Sequence, residues 1–289
     1  AGWYKSVDRS GKPANGSVHT YGYSFAVFAM AHAYSVTRDD RYLAHSISTW
    51  KSDVWPGLTA AREWGKKGRL TVNQSGKSWS QNPFMHLFEA LLALYEVTNS
   101  KEIWDDIEAM ANFLDAKLLL KPCGCLPEWY VANDFSPLDG NETRLYLGHQ
   151  VEWAFLLSHA VELGLEPRYL DTADGLLSFA LRHGISEETG GLQATSTIDG
   201  KEGNKSYWWW AQAELMRVTL HFAQKRGRKD LYQVFEKAQT FARMHFIDLA
   251  RKNWTNKSPY FADNREKIRQ VIGYHWMAFY TEALRLNQH

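Results

Sequence analysis

The chain is short of several things, and each shortage removes a class of function. Cysteine is one: Cys123 and Cys125 are the two in 289 residues. That is too few for a zinc site, and the single residue between them is unfavourable spacing for a disulfide. We therefore expect free thiols and a reducing compartment. Charge of one sign is lacking too. With 33 Lys+Arg against 32 Asp+Glu the net charge is +1, and there is no basic tract. Nucleic acid and anionic membrane surfaces are thus not expected partners. No apolar run approaches the roughly 18 residues of a spanning helix. Nothing like a signal segment opens the chain at Ala1, so the expectation is a cytoplasmic protein whose start is processed or truncated. Six Asn-X-Ser/Thr sequons, among them Asn15, Asn73 and Asn141, would matter only on a secretory route.

What is present is helix. Hydrophobic residues make up 45% of the chain, enough for a full core. Apolar periodicity predicts helices over 20–36, 41–55, 82–97, 101–119, 147–163, 168–183, 207–224, 230–251 and 266–286. These fall into pairs with links of a few residues inside each pair and long loops between pairs. First helices begin near 20, 82, 146, 207 and 270, a repeat of about 60 residues. They are strongly apolar, whereas the second helices are more polar, which predicts two concentric layers. The expected fold is an all-α toroid of helical hairpins, one catalytic domain over 1–289, with the long loops gathered at one end.

The candidate chemistry sits on the first helices. His149, Glu152 and Trp153 lie at i, i+3 and i+4, on one face of a helix opened by Gly148. His149 falls in the first turn, where the helix dipole favours a neutral imidazole able to accept a proton. In the second repeat Asn82, Met85, His86 and Glu89 form a single stripe. In the fourth, Trp210, Glu214 and Arg217 share a face, with Gln212 beside it; the fifth carries Tyr274 and His275. Histidines recurring at equivalent positions suit one cavity better than three independent surface residues. The His86/Glu89 and His149/Glu152 spacings could also ligate a divalent metal. The surrounding aromatics, and the lack of an Asp cluster, fit a sugar better. Most of the 13 tryptophans are expected to pack between helices, and some to serve as platforms for sugar rings.

The runs GWYKSVDRSGKP, YGYSFAVFAMAHAYSVTRD, NPFMHLFEALLALYEVT, GHQVEWAFLL, WWWAQAELM and YHWMAFYTEAL resemble the N-acylglucosamine 2-epimerase superfamily, in order and over essentially the whole chain. That group includes cellobiose 2-epimerases and aldose–ketose isomerases acting on mannose. The resemblance implies an (α/α)6 barrel of twelve helices and proton transfer beside a sugar carbonyl without cofactor or metal. About nine helices are visible, so roughly three are expected to be absent before Ala1, together with the family's substrate-binding arginine. By matching motif, His149 and His275 resemble the acid/base pair and Glu152 the carboxylate assisting them. Asn82, His86, Glu89, Trp153, Trp210, Gln212 and Glu214 resemble substrate contacts.

The resulting expectation is an aldose–ketose isomerase of the mannose/fructose type, monomeric or homodimeric, acting on a small sugar. A 2-epimerase of a free or N-acylated sugar or disaccharide is the alternative. A glycosidase would want a carboxylate pair where this chain offers histidine as often as glutamate. A toroid that only binds glycans is the non-enzymatic alternative.

Overall fold

The computed structural model describes residues 3–16, 20–51, 78–131, 134–138, 144–248, 253–254 and 273–287. These contain nine α-helices: α1 (Thr20–Thr37), α2 (Asp40–Thr49), α3 (Asn82–Thr98), α4 (Lys101–Phe113), α5 (Leu147–Glu162), α6 (Tyr169–Gly184), α7 (Trp209–Lys225), α8 (Leu231–His245) and α9 (Tyr274–Leu286). All nine fall where periodicity puts them, with ends shifted by a few residues. In α4 the expected last turn, Leu114–Leu118, widens into a π-helix. Asn73, Asn141, most of the long loop over 56–81 and the expected start of the last helix near 266 lie outside the described residues.

Before the first hairpin and between later ones the chain forms short two-stranded antiparallel pairs that periodicity did not predict. They are β1 (Ser6–Val7) with β2 (Pro13–Asn15), β3 (Ser78–Ser80) with β4 (Trp129–Val131), β5 (Leu145–Tyr146) with β6 (Thr195–Ser196), and β7 (Ile247–Asp248) with β8 (Asn253–Trp254). Two or three residues are too few for a period to register.

The chain divides into two compact units. In the first, α1 packs against α2 and α3, and α3 against α4. Pro83 starts α3 with a preset φ, and Asn99 ends it in the left-handed region at φ 49°. Every residue of α3 from Pro83 to Leu94 is buried, whereas α4 buries one face. The Trp50 indole N–H donates to Asp106 Oδ2 at 3.1 Å, joining the end of α2 to α4. Trp79, Phe84, Phe113 and Phe135 pack edge to face beneath β3.

In the second unit α5, α7 and α9 lie side by side, with α6 backing α5 and α8 backing α7. Burial follows this layering: α7 is buried continuously from Ala211 to Ala223, while α8 buries Leu231, Ala238, Phe241 and Ala242. The expected inner and outer helices are therefore present in this unit.

One expectation fails here. Cys123 and Cys125 are joined in a disulfide, with Cα atoms 5.3 Å apart. The missing ingredient was the turn. Gly124 adopts φ 63°, its N–H donates to the Leu120 carbonyl at 2.8 Å, and Leu120 bridges Cys125. A left-handed residue between the cysteines folds the backbone enough to bring the side chains together. The free-thiol argument for a reducing compartment loses its footing. No helix among the described residues is long and apolar enough to cross a membrane.

A polar array ties the C-terminal halves of α5, α7 and α9. His221 has no exposed surface; its Nδ1 donates to Glu282 Oε1 at 2.8 Å, and its Nε2 meets Ser158 Oγ at 2.8 Å. Arg285 donates to both Glu282 oxygens and to Glu162 at 2.7–2.9 Å. Arg226 donates to Ser158 Oγ at 2.8 Å. Burial pushes the His221 imidazole below its ordinary 6.5, and the Glu282 hydrogen bond only partly offsets this. Burial raises Glu162, but His159, His221 and Arg285 together bring it from 4.5 down to about 2.

In both cases the unfolded chain binds more protons than the folded one, below 6.5 for the imidazole and between 4.5 and about 2 for the carboxyl. Stability therefore falls as pH falls. The denaturant midpoint should drop between about pH 7.5 and about pH 5, and His221→Gln, which keeps the bonds without the titration, should flatten that drop. A wild-type midpoint constant over this range would show that His221 gains its proton in the folded state.

Candidate functional site

The N-terminal turns of α5, α7 and α9 assemble most of the candidate residues. The start of α5 is held on the loop after α6: β5 pairs with β6, and the Leu147 N–H donates to the Ala194 carbonyl at 3.1 Å. Gly148 follows, and any side chain there would displace its neighbours. A Cβ at this position would lie 2.4 and 2.5 Å from the Trp210 ring and 2.9 Å from Ala211. The glycine thus lets Trp210 of α7 lie directly against the turn that carries His149.

Around that contact the rings form a continuous wall. His149, 4% exposed, lies against Trp210 with centroids 5.0 Å apart and against Tyr146 at 5.4 Å. His275 of α9 lies against the same Trp210 ring at 5.4 Å, with planes 29° apart. Trp208 stacks on Trp210 at 5.5 Å and meets Tyr146 edge-on at 5.0 Å. Tyr146 and Trp208 belong to this wall although sequence reasoning passed over them. The Trp208-Trp209-Trp210 run was the signal.

The charged groups lie beside the wall. His275 Nδ1 donates to Glu214 Oε1 at 2.7 Å, and Glu214 has no exposed surface. Its other oxygen accepts from Arg217 Nη1 at 3.4 Å, and the Arg217 guanidinium lies 3.7 Å from the Phe155 ring centroid. Glu152, also without exposed surface, presents an oxygen within 4.8 Å of ligand atoms on both Glu214 and His275. Glu152 therefore keeps company with the His275–Glu214 pair. These three groups have donor types that suit a divalent cation.

Two further expected sugar contacts of this unit, Trp153 and Gln212, are enclosed by protein. Trp153 has no exposed surface. The Gln212 amide is engaged by backbone. Oε1 accepts from the Leu192 N–H at 2.9 Å, and Nε2 donates to the carbonyls of Leu192 at 2.8 Å and Trp208 at 3.1 Å. With both amide atoms spent on backbone and no surface exposed, Gln212 is a brace for the loop.

In the first unit His86 Nδ1 lies 3.4 Å from Glu89 Oε2 on α3, both side chains nearly buried. The His86 ring meets Tyr21 and Phe25 of α1 at 5.3 and 4.8 Å. The Asn82 N–H donates to Ser80 Oγ at 3.2 Å. Asn82 Oδ1 is buried with no hydrogen-bond partner among the described residues.

The chain is 23% identical to a D-mannose isomerase of Marinomonas mediterranea over 92% of its own length and 71% of the relative's. It is 24% identical to a cellobiose 2-epimerase of Ruminococcus albus over 92% of its own length, and spans 66% of that curated relative, just under two thirds. The cellobiose 2-epimerase structure from Bacillus thermoamylovorans superposes with a TM-score of 0.82 at 18% identity, covering 98% of this chain and 76% of that one. This likeness shows the fold, the all-α helical-hairpin toroid class expected from the repeat. A family model described as N-acylglucosamine 2-epimerase (GlcNAc 2-epimerase) matches residues 1–278. The chain belongs to the N-acylglucosamine 2-epimerase family.

Proposed function

We propose that the protein interconverts an aldose and a ketose of the mannose/fructose type by moving a proton between C2 and C1 of the open-chain sugar. The observation that carries this reading is the 2.7 Å His275–Glu214 bond, with His149 and His275 against one tryptophan. Glu214 accepts the Nδ1 proton of His275, which leaves Nε2 with a free lone pair directed away from the carboxylate. His275 then serves ring opening, taking the proton of the anomeric hydroxyl and returning one to the ring oxygen. His149 removes the C2 proton. The C–H electron pair becomes the C1–C2 double bond, and the carbonyl electrons move to O1 as an enediolate. Amides at the start of α5 favour that negative charge. Return of the proton to C1, with transfer of the O2 proton to O1, completes the ketose. Glu152 is assigned to steady the imidazolium, and Trp208 and Trp210 to stack on the sugar.

The family model runs through both units, which supports one catalytic domain over 1–289. On α3, His86, Glu89 and Asn82 are proposed as sugar contacts from the family motif, and the buried acceptor of Asn82 supports this. The epimerase reading has its own support in two imidazoles packed on one ring and in relatives named cellobiose 2-epimerase. It differs only in returning the proton to the opposite face of C2.

Incubated in deuterium oxide with mannose, the protein should put solvent deuterium into the sugar and form fructose. Exchange with glucose but no ketose would select the epimerase, and no exchange with any aldose would leave a binding protein or a hydrolase. His149→Asn should lower kcat by about 10² to 10⁴, the usual worth of a general base. Full activity in that variant would remove His149 from the mechanism. Turnover should also survive a chelator, because imidazole and helix amides suffice for enediolate chemistry. Loss restored by one added metal would instead make Glu152, Glu214 and His275 ligands.

A further inference from the structure

We propose that Gln150 and Gln212 are positioning residues for the proton transfer, setting the separation between His149 on α5 and the His275–Glu214 pair on α7 and α9; the proposal rests on the reading of those residues given above. The two glutamines do the same thing at equivalent places. Gln150 Oε1 accepts from the Leu126 N–H at 2.8 Å, and its Nε2 donates to the carbonyls of Leu126 at 2.8 Å and Tyr146 at 3.4 Å. Gln212 repeats this pattern on Leu192 and Trp208. In each case one residue of a returning loop has both backbone groups held by a side-chain amide, and the same amide caps a carbonyl four residues earlier in its own chain. Both glutamines have no exposed surface. Each stands two residues before a buried carboxylate of the site, Glu152 or Glu214, and Gln150 is the direct neighbour of His149.

The consequence is a short strap. At Leu192 the loop is gripped by Gln212 of α7. Two residues later the Ala194 carbonyl accepts from Leu147, and Thr195 and Ser196 pair with Tyr146 and Leu145 at the start of α5. Five residues, 192–196, therefore join the first turns of α5 and α7, with hydrogen bonds at both ends. Gln150 anchors the other side of α5 to the turn closed by the Cys123–Cys125 disulfide, which ends one residue before Leu126. Loosening either grip frees the N-terminus of a helix whose catalytic group must sit within hydrogen-bond reach of a reacting atom. The histidines themselves stay intact, so their chemistry persists and only its geometry suffers.

The test uses the whole protein, with deuterium exchange at C2 of mannose and net ketose formation as readouts. Gln150→Met and Gln212→Met keep length and volume but remove all three bonds of the amide. Each should keep its helical spectrum and a cooperative melt above the assay temperature, keep KM within about twofold, and lose at least about tenfold in kcat. Gln150→Glu and Gln212→Glu supply a second reading. A buried protonated carboxyl can donate to the leucine carbonyl while accepting from its N–H, whereas an ionised one cannot donate. Their kcat should fall on the alkaline side of a profile that is flat there in the wild type. If a Met variant does not fold, the Glu variant at that position decides. Folded Met variants with wild-type kcat, kcat that falls only in step with the folded fraction, or Glu variants with the wild-type pH profile would each overturn the proposal. A wild type that exchanges no sugar proton overturns the proton-transfer reading and this proposal with it. Unaffected variants of an active wild type overturn the positioning role alone.

Discussion

Glu214 is a carboxylate with no surface in contact with solvent, and much of the second unit is arranged to make that tolerable. An isolated buried carboxylate would cost several kcal/mol or take up a proton. Here one oxygen accepts from His275 and the other from Arg217. Each partner comes with its own constraint. Arg217 spreads its charge over the Phe155 ring of α5. His275 has to reach from α9, across the face of Trp210, so α9 must pack beside α7. Gly148 has to lack a side chain for Trp210 to lie where it does. One buried charge thus links three helices, an aromatic wall and a glycine.

Much of this was legible in the sequence, for a physical reason. Helix-forming residues report their neighbours at i+3 and i+4, so the stripes carrying His149/Glu152, Trp210/Glu214 and His86/Glu89 could be read without coordinates. The 60-residue repeat and the GHxxE and NxxMHxxE motifs then gave the family. What could not be read was contact between elements. Nothing in the spacing of Gln212 told that its amide would be consumed by Leu192, twenty residues upstream. The pairing of His275 with Glu214, 61 residues apart, was hidden for the same reason. The disulfide was missed on a local point: Cα separation across one residue depends on that residue's φ, and a glycine leaves it open.

The two polar clusters of the second unit also explain each other. Seven residues after Glu214 on α7 comes His221, and seven residues after His275 on α9 comes Glu282. Two turns of helix, about 10 Å, return each position to the same face. The same two helices therefore make a second imidazole–carboxylate bond, with acid and base exchanged: 2.7 Å for His275–Glu214 and 2.8 Å for His221–Glu282.

Their surroundings assign them opposite work. Around His221 both ring nitrogens are engaged, Arg285 neutralises Glu282, and the imidazole is 0% exposed. Such a pair can hold helices in register, but it has no lone pair to offer a substrate. Around His275 the carboxylate takes Nδ1, and the ring, 15% exposed at its side chain, lies beside the loops that open the helices rather than in the middle of the bundle. Burial favours a satisfied pair and penalises a reactive one. A fold that keeps its satisfied pair two turns deeper can hold α7 and α9 together there, and leave the pair nearer the helix ends for the proton transfer proposed for His275.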